Sequence, residues 1–440
     1  MELAGKQILV VGLGKSGLAA ARLALELGAK VTVCDGKPLA ETRFAAEVAE
    51  LRVTYLPQAE AVGATFDLVI QSPGVPLEAP VFAGAKVTGE LEFAAPLLRG
   101  RTIGITGSNG KTTTTALVGH ILRQAQVPAQ VGGNIGRPPA AMVATSRVGQ
   151  WNVLELSSFQ LETIQSFRAD IGLILNITPD HLDRHHTMER YVDAKARLIE
   201  LQIRSNVAVL NAGDPLSGDL AKRTRAKVVY FNAKAPGPWM IAEKDGVITV
   251  DEQVLLPVEA IPLRGRHNVE NVMAAAAAAW LANVSLDAIE AAVRTFPGVE
   301  HRLEFVRELD GIGYYNDSKA TNVDATEKAL DAFEGGLWII LGGKDKQSDY
   351  RTLAGRLRDK ARGILLIGMA SAIIRRQLEE VEPGLPLRDC GTLAEAIRVG
   401  HAEGRRGDTV LLAPACASFD QFQSYEHRGR VFKELVQNLE

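Results

Sequence analysis

A glycine-rich segment near residue 107 has the residue types of a phosphate-binding loop. It reads Gly107-Ser108-Asn109-Gly110-Lys111-Thr112 and continues into Thr113 and Thr114, between a predicted strand (Thr102–Thr106) and a predicted helix (Thr113–Leu122). In such loops backbone amides bind phosphate oxygens, the lysine reaches the terminal phosphates and the threonine hydroxyl binds Mg²⁺. The usual spacing would put the first glycine at Ile105, so we predict a variant ATP-binding loop.

A second glycine loop, Gly12–Gly17, follows a predicted strand, Ile8–Val11, and opens a predicted helix. Asp35 ends the next predicted strand, Lys30–Cys34, at the position where an acidic residue can accept hydrogen bonds from a ribose or a base. Glycines in this arrangement let the backbone approach a diphosphate at a helix N-terminus. The alternative is a tight turn whose glycines are required for packing alone.

Three residues of the middle region are candidates for metal chemistry. Glu155 ends the predicted strand Trp151–Leu156, where α/β nucleotide-hydrolysing enzymes hold Mg²⁺, although a capping or surface role is also open. His181 lies in a polar segment after another strand, and a histidine ligand suits Mn²⁺ better than Mg²⁺. Such a histidine can equally be structural. Lys195 shares a helix face with apolar residues, where a lysine ordinarily extends to solvent.

The C-terminal third contains polar residues at two further predicted junctions. Asn316–Asn322 mixes acid, base and hydroxyl side chains just before a helix, so its amides could meet a phosphate. Arg302 lies near the preceding junction, where it could clamp a terminal phosphate. Ser418 follows the last predicted strand, and we expect it to bind a carboxylate at the start of the closing helix, Asp420–Leu439. Cys416 is expected to be a small buried residue rather than a nucleophile.

The elements that must position these residues alternate between strand and helix along the whole chain. This alternation predicts an α/β protein with parallel sheets. Residues 228–256 instead suggest antiparallel hairpins around Asp245-Gly246. Breaks near Glu92 and at Phe296-Pro297-Gly298 divide the chain into three predicted domains, 1–92, 93–298 and 299–440.

Composition excludes several classes of protein. The chain has 440 residues, 49 Lys and Arg against 52 Asp and Glu, and a net charge of −3, so no global field attracts nucleic acid or an anionic membrane. The three widely spaced cysteines form no disulfide framework or CxxC metal pair. No apolar run approaches the ~18 residues of a membrane helix, and no signal peptide is recognisable. We therefore expect a soluble, cytoplasmic, monomeric enzyme without membrane insertion.

Together these segments resemble the Mur ligase family, in order and over the whole chain. The resemblance rests on the two glycine loops and on further segments: Ser72–Val75, Gly132–Gly136, Glu155–Gln160, Asp180–Arg184, Asp193–Lys195, Gly265–Asn271, His301-Arg302, Asn316–Asn322, Leu341–Lys346 and Pro414–Phe422. It implies a Rossmann-like N-terminal domain, a P-loop-type central ATPase domain and a Rossmann-like C-terminal domain. The implied activity is ATP-dependent addition of D-glutamate to UDP-N-acetylmuramoyl-L-alanine through an acyl phosphate, in peptidoglycan precursor synthesis.

The resemblance also implies residue roles. The UDP substrate would contact Lys15, Ser16, Asp35, Lys37, Gly74, Asn134 and His181. ATP would contact residues Gly107 to Thr114, Asn268, Asn271, Arg302, Asp317 and Lys319. D-glutamate would contact Thr321, Lys346, Ser418, Phe419 and Tyr425. Two Mg²⁺ sites, which could also take Mn²⁺, would use Thr112, Glu155, His181 and a carbamylated Lys195. The catalytic residues would be Lys111, Glu155, His181 and Lys195.

Two departures and two alternatives remain open at the level of sequence. Lys344 competes with Lys346 for the glutamate contact, and Gly36-Lys37 offers UDP fewer side-chain contacts than a hydroxyl and an arginine would. One alternative function is an amide ligase of the same architecture that adds another amino acid, or adds glutamate to folate. The other is a nicotinamide-dependent oxidoreductase or a nucleotide sensor.

Overall fold

The structure is a computed structural model that describes residues 3–42, 44–346 and 348–440. Contacts within the chain divide it into two compact units, one formed by residues up to 260 with 270–296, the other by 261–269 with 297–440. Among the described residues, the first unit contains two sheets and the second contains one. Three mostly parallel sheets confirm the predicted α/β class, whereas the exact domain boundaries at 92 and 298 stay predictions.

The first sheet, in the part of the chain that the structure describes, has five parallel strands in the order β3-β2-β1-β4-β5. Its strands alternate faces, because Ile8 and Val10 enter one apolar cluster while Leu9 and Val11 enter another on the opposite side. The strand order reverses beside β1, which is where open α/β sheets bind ligands. The elements are β1 (Gln7–Val11), α1 (Lys15–Glu26), β2 (Lys30–Asp35), α2 (Ala45–Leu51), β3 (Thr54–Pro57), α3 (Gln58–Ala61), β4 (Leu68–Gln71), β5 (Val87–Gly89) and α4 (Glu90–Ala94).

The second sheet has nine strands among the described residues, in the order β14-β13-β12-β11-β10-β9-β6-β8-β7. Its strands are parallel from β7 to β12, and β12, β13 and β14 form the predicted antiparallel hairpins. The strands are β6 (Arg101–Thr106), β7 (Ala129–Gly133), β8 (Trp151–Glu155), β9 (Ile171–Ile174), β10 (Val207–Asn211), β11 (Lys227–Ala233), β12 (Met240–Lys244), β13 (Val247–Val250) and β14 (Gln253–Pro257). The helices are α5 (Lys111–Gln124), α6 (Pro139–Met142), α7 (Ser158–Leu161), α8 (Leu182–His185), α9 (Met188–Glu200), α10 (Pro215–Asp219), α11 (Arg266–Leu281) and α12 (Leu286–Arg294).

The third sheet, counted over the described residues, has six strands in the order β15-β16-β20-β17-β18-β19, and only the β15–β16 pair is antiparallel. Apolar clusters cover both faces, as a parallel sheet requires. The elements are β15 (Glu304–Leu309), β16 (Ile312–Asn316), α13 (Val323–Asp331), β17 (Leu337–Gly342), α14 (Ala354–Lys360), β18 (Ala361–Ile367), α15 (Ser371–Val381), β19 (Leu387–Gly391), α16 (Leu393–Glu403), β20 (Thr409–Leu412) and α17 (Tyr425–Gln437).

The closing helix differs from its prediction. It begins at Tyr425 rather than Asp420, because the Ser424 hydroxyl accepts the backbone N–H of His427 at 3.2 Å and caps it there. Ser418 consequently lies in the preceding loop, and the expectation that it sits at a helix start is wrong. Within the described residues no helix is both long and apolar enough to cross a bilayer.

Candidate active site

The loop between β6 and α5 lies at a helix N-terminus and has the residue arrangement of a phosphate-binding loop. Helix α5 begins at Lys111, two residues before its prediction, and the Lys111 ammonium donates to the carbonyls of Gly107 and Ser108, both at 2.8 Å. Gly110 has φ +83°, and a Cβ there would lie 2.2 Å from the Asn271 side-chain oxygen. The lysine and the first amides of α5 therefore border one concave loop, which suits an anionic phosphate chain.

Side chains from two other elements hold this loop in place. The Ser108 hydroxyl lies 3.0 Å from the Tyr191 hydroxyl and accepts the Thr178 N–H at 2.9 Å. The backbone N–H of Asn109 donates to the Asn176 side-chain oxygen at 2.8 Å. No sequence motif identifies Asn176 and Tyr191 as supports of the loop. For Asn176 the one available indication was its position after β9, the strand beside β6.

Lys195 on α9 is buried under the same loop. Its side chain is 1% exposed, its Nζ donates to the Gly107 carbonyl at 2.8 Å, and Nζ lies 4.5 Å from the centre of the Tyr191 ring. The ordinary expectation that this lysine extends to solvent is therefore wrong. Burial, assisted by the positive charge of Lys111, holds the pKa of Lys195 well below its usual value. A lowered pKa increases the fraction of a lysine that is present as the neutral, nucleophilic amine.

Glu155 is the last residue of β8, and only one of its two carboxylate oxygens is hydrogen-bonded within the described part of the chain. Oε1 accepts a hydrogen bond from the Asn134 side-chain amide at 2.9 Å, so the structure brings these two predicted residues together. Oε2 is buried and has no hydrogen-bond partner among the described residues. An unpaired buried carboxylate oxygen is costly, and a divalent cation would compensate it. The donor set of Glu155 and the Thr112 hydroxyl fits Mg²⁺, which keeps several waters and binds substrate phosphates.

His181 and His185 occupy contrasting positions around α8. His181 is exposed, has φ +53° and lies against the Phe159 ring with centroids 4.9 Å apart. His185 is buried, and its ring nitrogens contact the Ser158 hydroxyl at 2.9 Å and the Glu162 carboxylate at 3.1 Å. His185 was not among the predicted site residues. The described residues contain no cluster of three His, Cys, Asp or Glu side chains suited to a metal, so a site at His181 would need other donors.

A second concave site lies at the carboxyl edge of the first sheet. A cavity of about 480 Å³ is lined by Gly12, Leu13, Gly14, Asp35, Gly36, Lys37, Glu41, Thr42, Ser72, Gly74 and Val75. The Asp35 carboxylate accepts the backbone N–H groups of Leu13 at 2.7 Å and Lys37 at 3.0 Å. Three of the residues predicted to bind UDP therefore share this cavity, while Lys15 and Ser16 form the start of α1 next to Gly14. Glu41 and Thr42 were missed.

The steric alternative for the first glycine loop also holds. A Cβ at Gly17 would lie 1.9 Å from the Gly12 carbonyl oxygen, and one at Gly12 would lie 2.6 Å from a Val75 methyl group. These glycines are thus required for packing, and Gly12 also lines the cavity.

In the second unit, the predicted phosphate and ribose contacts surround a buried acid. Asp317 is buried, and burial raises its pKa to about 6 although Arg302 opposes the shift. Its carboxylate accepts the Leu303 N–H at 3.3 Å. Lys319 lies 5.8 Å from the centre of the Tyr425 ring. The structure therefore groups Arg302, Asp317, Lys319 and Tyr425 in one region of this unit.

The remaining predicted residues are placed separately. Lys346 donates to the Thr321 carbonyl at 3.1 Å, which joins two residues predicted to bind glutamate. Ser418 is buried, and Phe419 beside it is 69% exposed. Asn268 on α11 donates to the Arg264 carbonyl at 2.7 Å, whereas Asn271, one turn later, has its side-chain oxygen 3.4 Å from the Thr114 hydroxyl.

Comparison with known proteins identifies the family. Residues 6–91 match the MurD-like N-terminal domain of Mur ligases, residues 105–279 the Mur ligase middle domain and residues 301–416 the Mur ligase glutamate ligase domain. The UDP-N-acetylmuramoylalanine--D-glutamate ligase of Solibacter usitatus is 55% identical over 100% of this chain and 99% of its own. The protein of the same name from Acidobacterium capsulatum is 48% identical over 99% and 97%.

Solved structures share the fold at low identity. A Thermotoga maritima UDP-N-acetylmuramate-alanine ligase superimposes with a TM-score of 0.62, at 20% identity over 98% of this chain and 99% of that one. The MurF ligase of the same organism, solved with ADP, gives a TM-score of 0.63 at 16% identity over 100% and 96%. Given the matching domains and the identity over the full length, this chain belongs to the Mur ligase family.

Proposed function

We propose that this protein is an ATP-dependent amide ligase that joins D-glutamate to UDP-N-acetylmuramoyl-L-alanine during peptidoglycan precursor synthesis. The observation that carries the proposal is the loop of residues 107–112, a phosphate cradle with two lysines and an unsatisfied buried carboxylate beside it. The substrates come from the relatives, which carry the name of this ligase at 55% and 48% identity over nearly the full length.

The reaction has two steps. An oxygen of the L-alanyl carboxylate attacks the γ-phosphorus of ATP, the bond from that phosphorus to the β–γ bridging oxygen breaks, and ADP leaves. The amine of D-glutamate then attacks the carbonyl carbon of the acyl phosphate. The tetrahedral intermediate collapses as the carbon–oxygen bond to phosphate breaks, inorganic phosphate leaves and the amine proton passes to a base. The products are the amide, ADP and phosphate.

The residues of the cradle act on the first step. The amides at the start of α5 and the Lys111 ammonium bind the phosphate chain and offset the charge that accumulates as the carboxylate approaches. Thr112 and Glu155 would hold one Mg²⁺, and His181 with a carbamylated Lys195 would hold a second Mg²⁺ or Mn²⁺. Bound there, the cations would neutralise phosphate oxygens. Asn134 fixes the Glu155 carboxylate through its hydrogen bond.

The remaining roles are assigned by family resemblance. We assign the UDP part to the cavity of Asp35, Lys37 and Gly74, with Lys15 and Ser16 at the helix start. We assign adenine, ribose and phosphates to Asn268, Asn271, Arg302, Asp317 and Lys319. We assign D-glutamate to Thr321, Lys346, Ser418, Phe419 and Tyr425. Lys346 is preferred to Lys344 because its ammonium contacts Thr321.

The environment of Lys195 supports its carbamylation. Burial lowers the pKa of the amine and so favours its neutral form, which can attack CO₂: an N–C bond forms, one N–H proton leaves, and an anionic carbamate with two oxygens results. We expect ¹³C-bicarbonate to give a carbamate signal by NMR in the native protein, and removal of CO₂ to lower activity until bicarbonate is restored. Lys195→Ala should lose both the signal and the activity. An unaffected Lys195→Ala enzyme would contradict the proposal.

Phosphate release tests the function directly. The protein is incubated with ATP and UDP-N-acetylmuramoyl-L-alanine, alone and with D-glutamate, L-glutamate, L-alanine or D-alanine. We expect one phosphate and one amide per ATP with D-glutamate only, and loss of both in Lys111→Ala. Equal or greater turnover with another amino acid would indicate a different amide ligase. Nicotinamide-nucleotide binding without ATP cleavage would indicate the oxidoreductase alternative.

We also propose that the enzyme acts as a monomer in the cytoplasm. The described cysteines Cys34, Cys390 and Cys416 are free thiols, which suits a reducing compartment. Light scattering of the purified protein would measure the mass directly.

A further inference from the structure

A buried tyrosine in the second unit contacts two chain segments at once. Tyr350 begins a short 3₁₀ turn and is fully buried. Its hydroxyl donates to the Asp345 carboxylate at 2.7 Å and lies 3.0 Å from the Cys416 sulfur. Burial raises the pKa of the Cys416 thiol to about 11, so the thiol keeps its proton. The Tyr350 hydroxyl donates its proton to the Asp345 carboxylate, so the Cys416 thiol must donate to the phenol oxygen. The three groups thus form a chain of two hydrogen bonds with a fixed direction.

The two segments that this hydroxyl connects are paired along their backbones. The N–H of Lys344 donates to the Ala417 carbonyl at 2.8 Å, and the N–H of Ala417 returns a bond to Lys344 at 3.1 Å. Gly343 fits this close approach because a Cβ there would lie 2.3 Å from the Ala417 oxygen. Asp345 additionally accepts the Ser348 N–H at 3.2 Å, and this hydrogen bond joins residues on the two sides of Lys346.

Each of these two segments carries one residue that is assigned to D-glutamate. Lys346 follows Asp345 directly, and Ser418 lies two residues after Cys416. A carboxylate ligand that bridges an ammonium and a hydroxyl requires their separation to be fixed to within about 0.5 Å. A charge-assisted hydrogen bond from a buried phenol is stronger than a neutral one and holds a fixed direction.

We propose that Tyr350 is a positioning residue that sets the spacing between Lys346 and Ser418 and thereby the affinity for D-glutamate. The inference rests on the proposed function, because glutamate is assigned to this site by family resemblance. Tyr350 does not touch the substrate in this proposal. It acts through Asp345 on one side and Cys416 on the other, so its loss affects D-glutamate and leaves the nucleotide substrates unchanged.

Steady-state kinetics of Tyr350→Phe test the proposal. The ring is retained and only the hydroxyl is removed, so we expect the KM for D-glutamate to rise about 10-fold, the effect of one lost charged hydrogen bond. The KM values for ATP and the UDP substrate, and kcat, should stay within about 2-fold. Asp345→Asn, which removes the acceptor charge, should raise the same KM less, and the double variant should be no worse than Tyr350→Phe alone.

Tyr314→Phe is the matched control. Tyr314 is equally buried in the same unit, and its hydroxyl lies 2.8 Å from a His401 ring nitrogen, in the other apolar cluster of the sheet. We expect it to lose comparable thermal stability without any change in the KM for D-glutamate. An unchanged KM in Tyr350→Phe, or an equal rise in Tyr314→Phe, overturns the inference. Absence of D-glutamate-dependent phosphate release in the native enzyme would instead refute the proposed function.

Discussion

The two glycine loops of the first unit reach their shapes in different ways. The Gly12–Gly17 loop is shaped by its own glycines, by Asp35 at the end of the adjacent strand and by the packing of Gly12 against Val75. The loop of residues 107–112 is held by hydrogen bonds to side chains that lie about 65 to 90 positions later in the chain, Asn176, Tyr191 and Lys195, and Gly110 packs against Asn271. The first loop thus has its side-chain hydrogen bond to the neighbouring strand, whereas the second has its bonds to later elements. The second depends on the fold around it, so substitutions should affect the two differently.

The largest expected effect is that of Gly110→Ala in the second loop. The new Cβ would lie 2.2 Å from the Asn271 oxygen and would also oppose φ +83°, so the loop must shift. A displacement of about 1 Å at a reacting phosphate costs roughly 100-fold, and we expect kcat/KM for ATP to fall at least that much. Phosphate release measures it.

Gly149→Ala is the control for this prediction. Gly149 has φ +84° but nothing within 4 Å of a new Cβ, so it carries the same backbone strain without the collision. We expect a loss of about 1 kcal/mol in stability and little change in activity. Equal loss of activity in both variants would show that backbone strain, and not support of the loop by α11, decides its shape.

A smaller effect is expected at the first loop from Asp35→Asn. The amide keeps one acceptor oxygen, which is uncharged, so one of the Leu13 and Lys37 N–H groups loses its acceptor and the other keeps only a neutral one. We expect the KM for the UDP substrate to rise about 10-fold, while kcat and the KM for ATP stay unchanged. Glu41→Gln removes the same charge from the same cavity and should have less effect. If it matches Asp35→Asn, charge rather than loop geometry determines affinity.

The same contrast explains what could be predicted from the sequence. The strand–loop–helix order and the acid after the next strand are local patterns, so the first loop and its cavity were predictable. The burial of Lys195 was not, because its helix face also suited a lysine that extends to solvent. Only packing of α9 beneath the Gly107 carbonyl decides between the two.

The missed features have similar causes. His185 is not part of a recognisable sequence motif because its partners lie more than 20 residues earlier in the chain. Ser158 belongs to α7, and Glu162 is the residue that follows it. The predicted start of the last helix was wrong because Ser418 and Ser424 are both suitable N-cap residues. In the folded protein Ser424, the later of the two, caps the helix. Strands β3 and β5 are short and only partly buried, so their apolar alternation was too weak to predict them.

The smallest expected effect lies where the two sheets of the first unit meet. Glu90 of α4 is completely buried, its Oε1 accepts the Ala140 N–H at 2.6 Å, and burial raises its pKa to about 8. Glu90 ionises near pH 4.5 in the unfolded chain but only near pH 8 in the folded protein. The free energy of unfolding of the native protein therefore falls as pH rises between these two values. Glu90→Gln stays neutral and keeps the acceptor oxygen. We expect its Tm to exceed that of the native protein by roughly 2–4 °C at pH 8.5, and by little at pH 5.

Glu92→Gln, on the same short helix, should change the Tm in the opposite direction. The Glu92 carboxylate accepts the N–H groups of Gln165, Ser166 and Phe167 at 2.8–3.0 Å. The negative charge of Glu92 therefore strengthens three hydrogen bonds, whereas that of Glu90 would be buried with one. Removal of the Glu92 charge should lower the Tm at pH 7. A Glu90→Gln protein that is less stable than the native one at pH 8.5 would mean that the ionised Glu90 carboxylate stabilises the contact between α4 and α6. The loop carrying Asn134, which lies just before Ala140, would then depend on a remote charge as the phosphate loop depends on remote side chains.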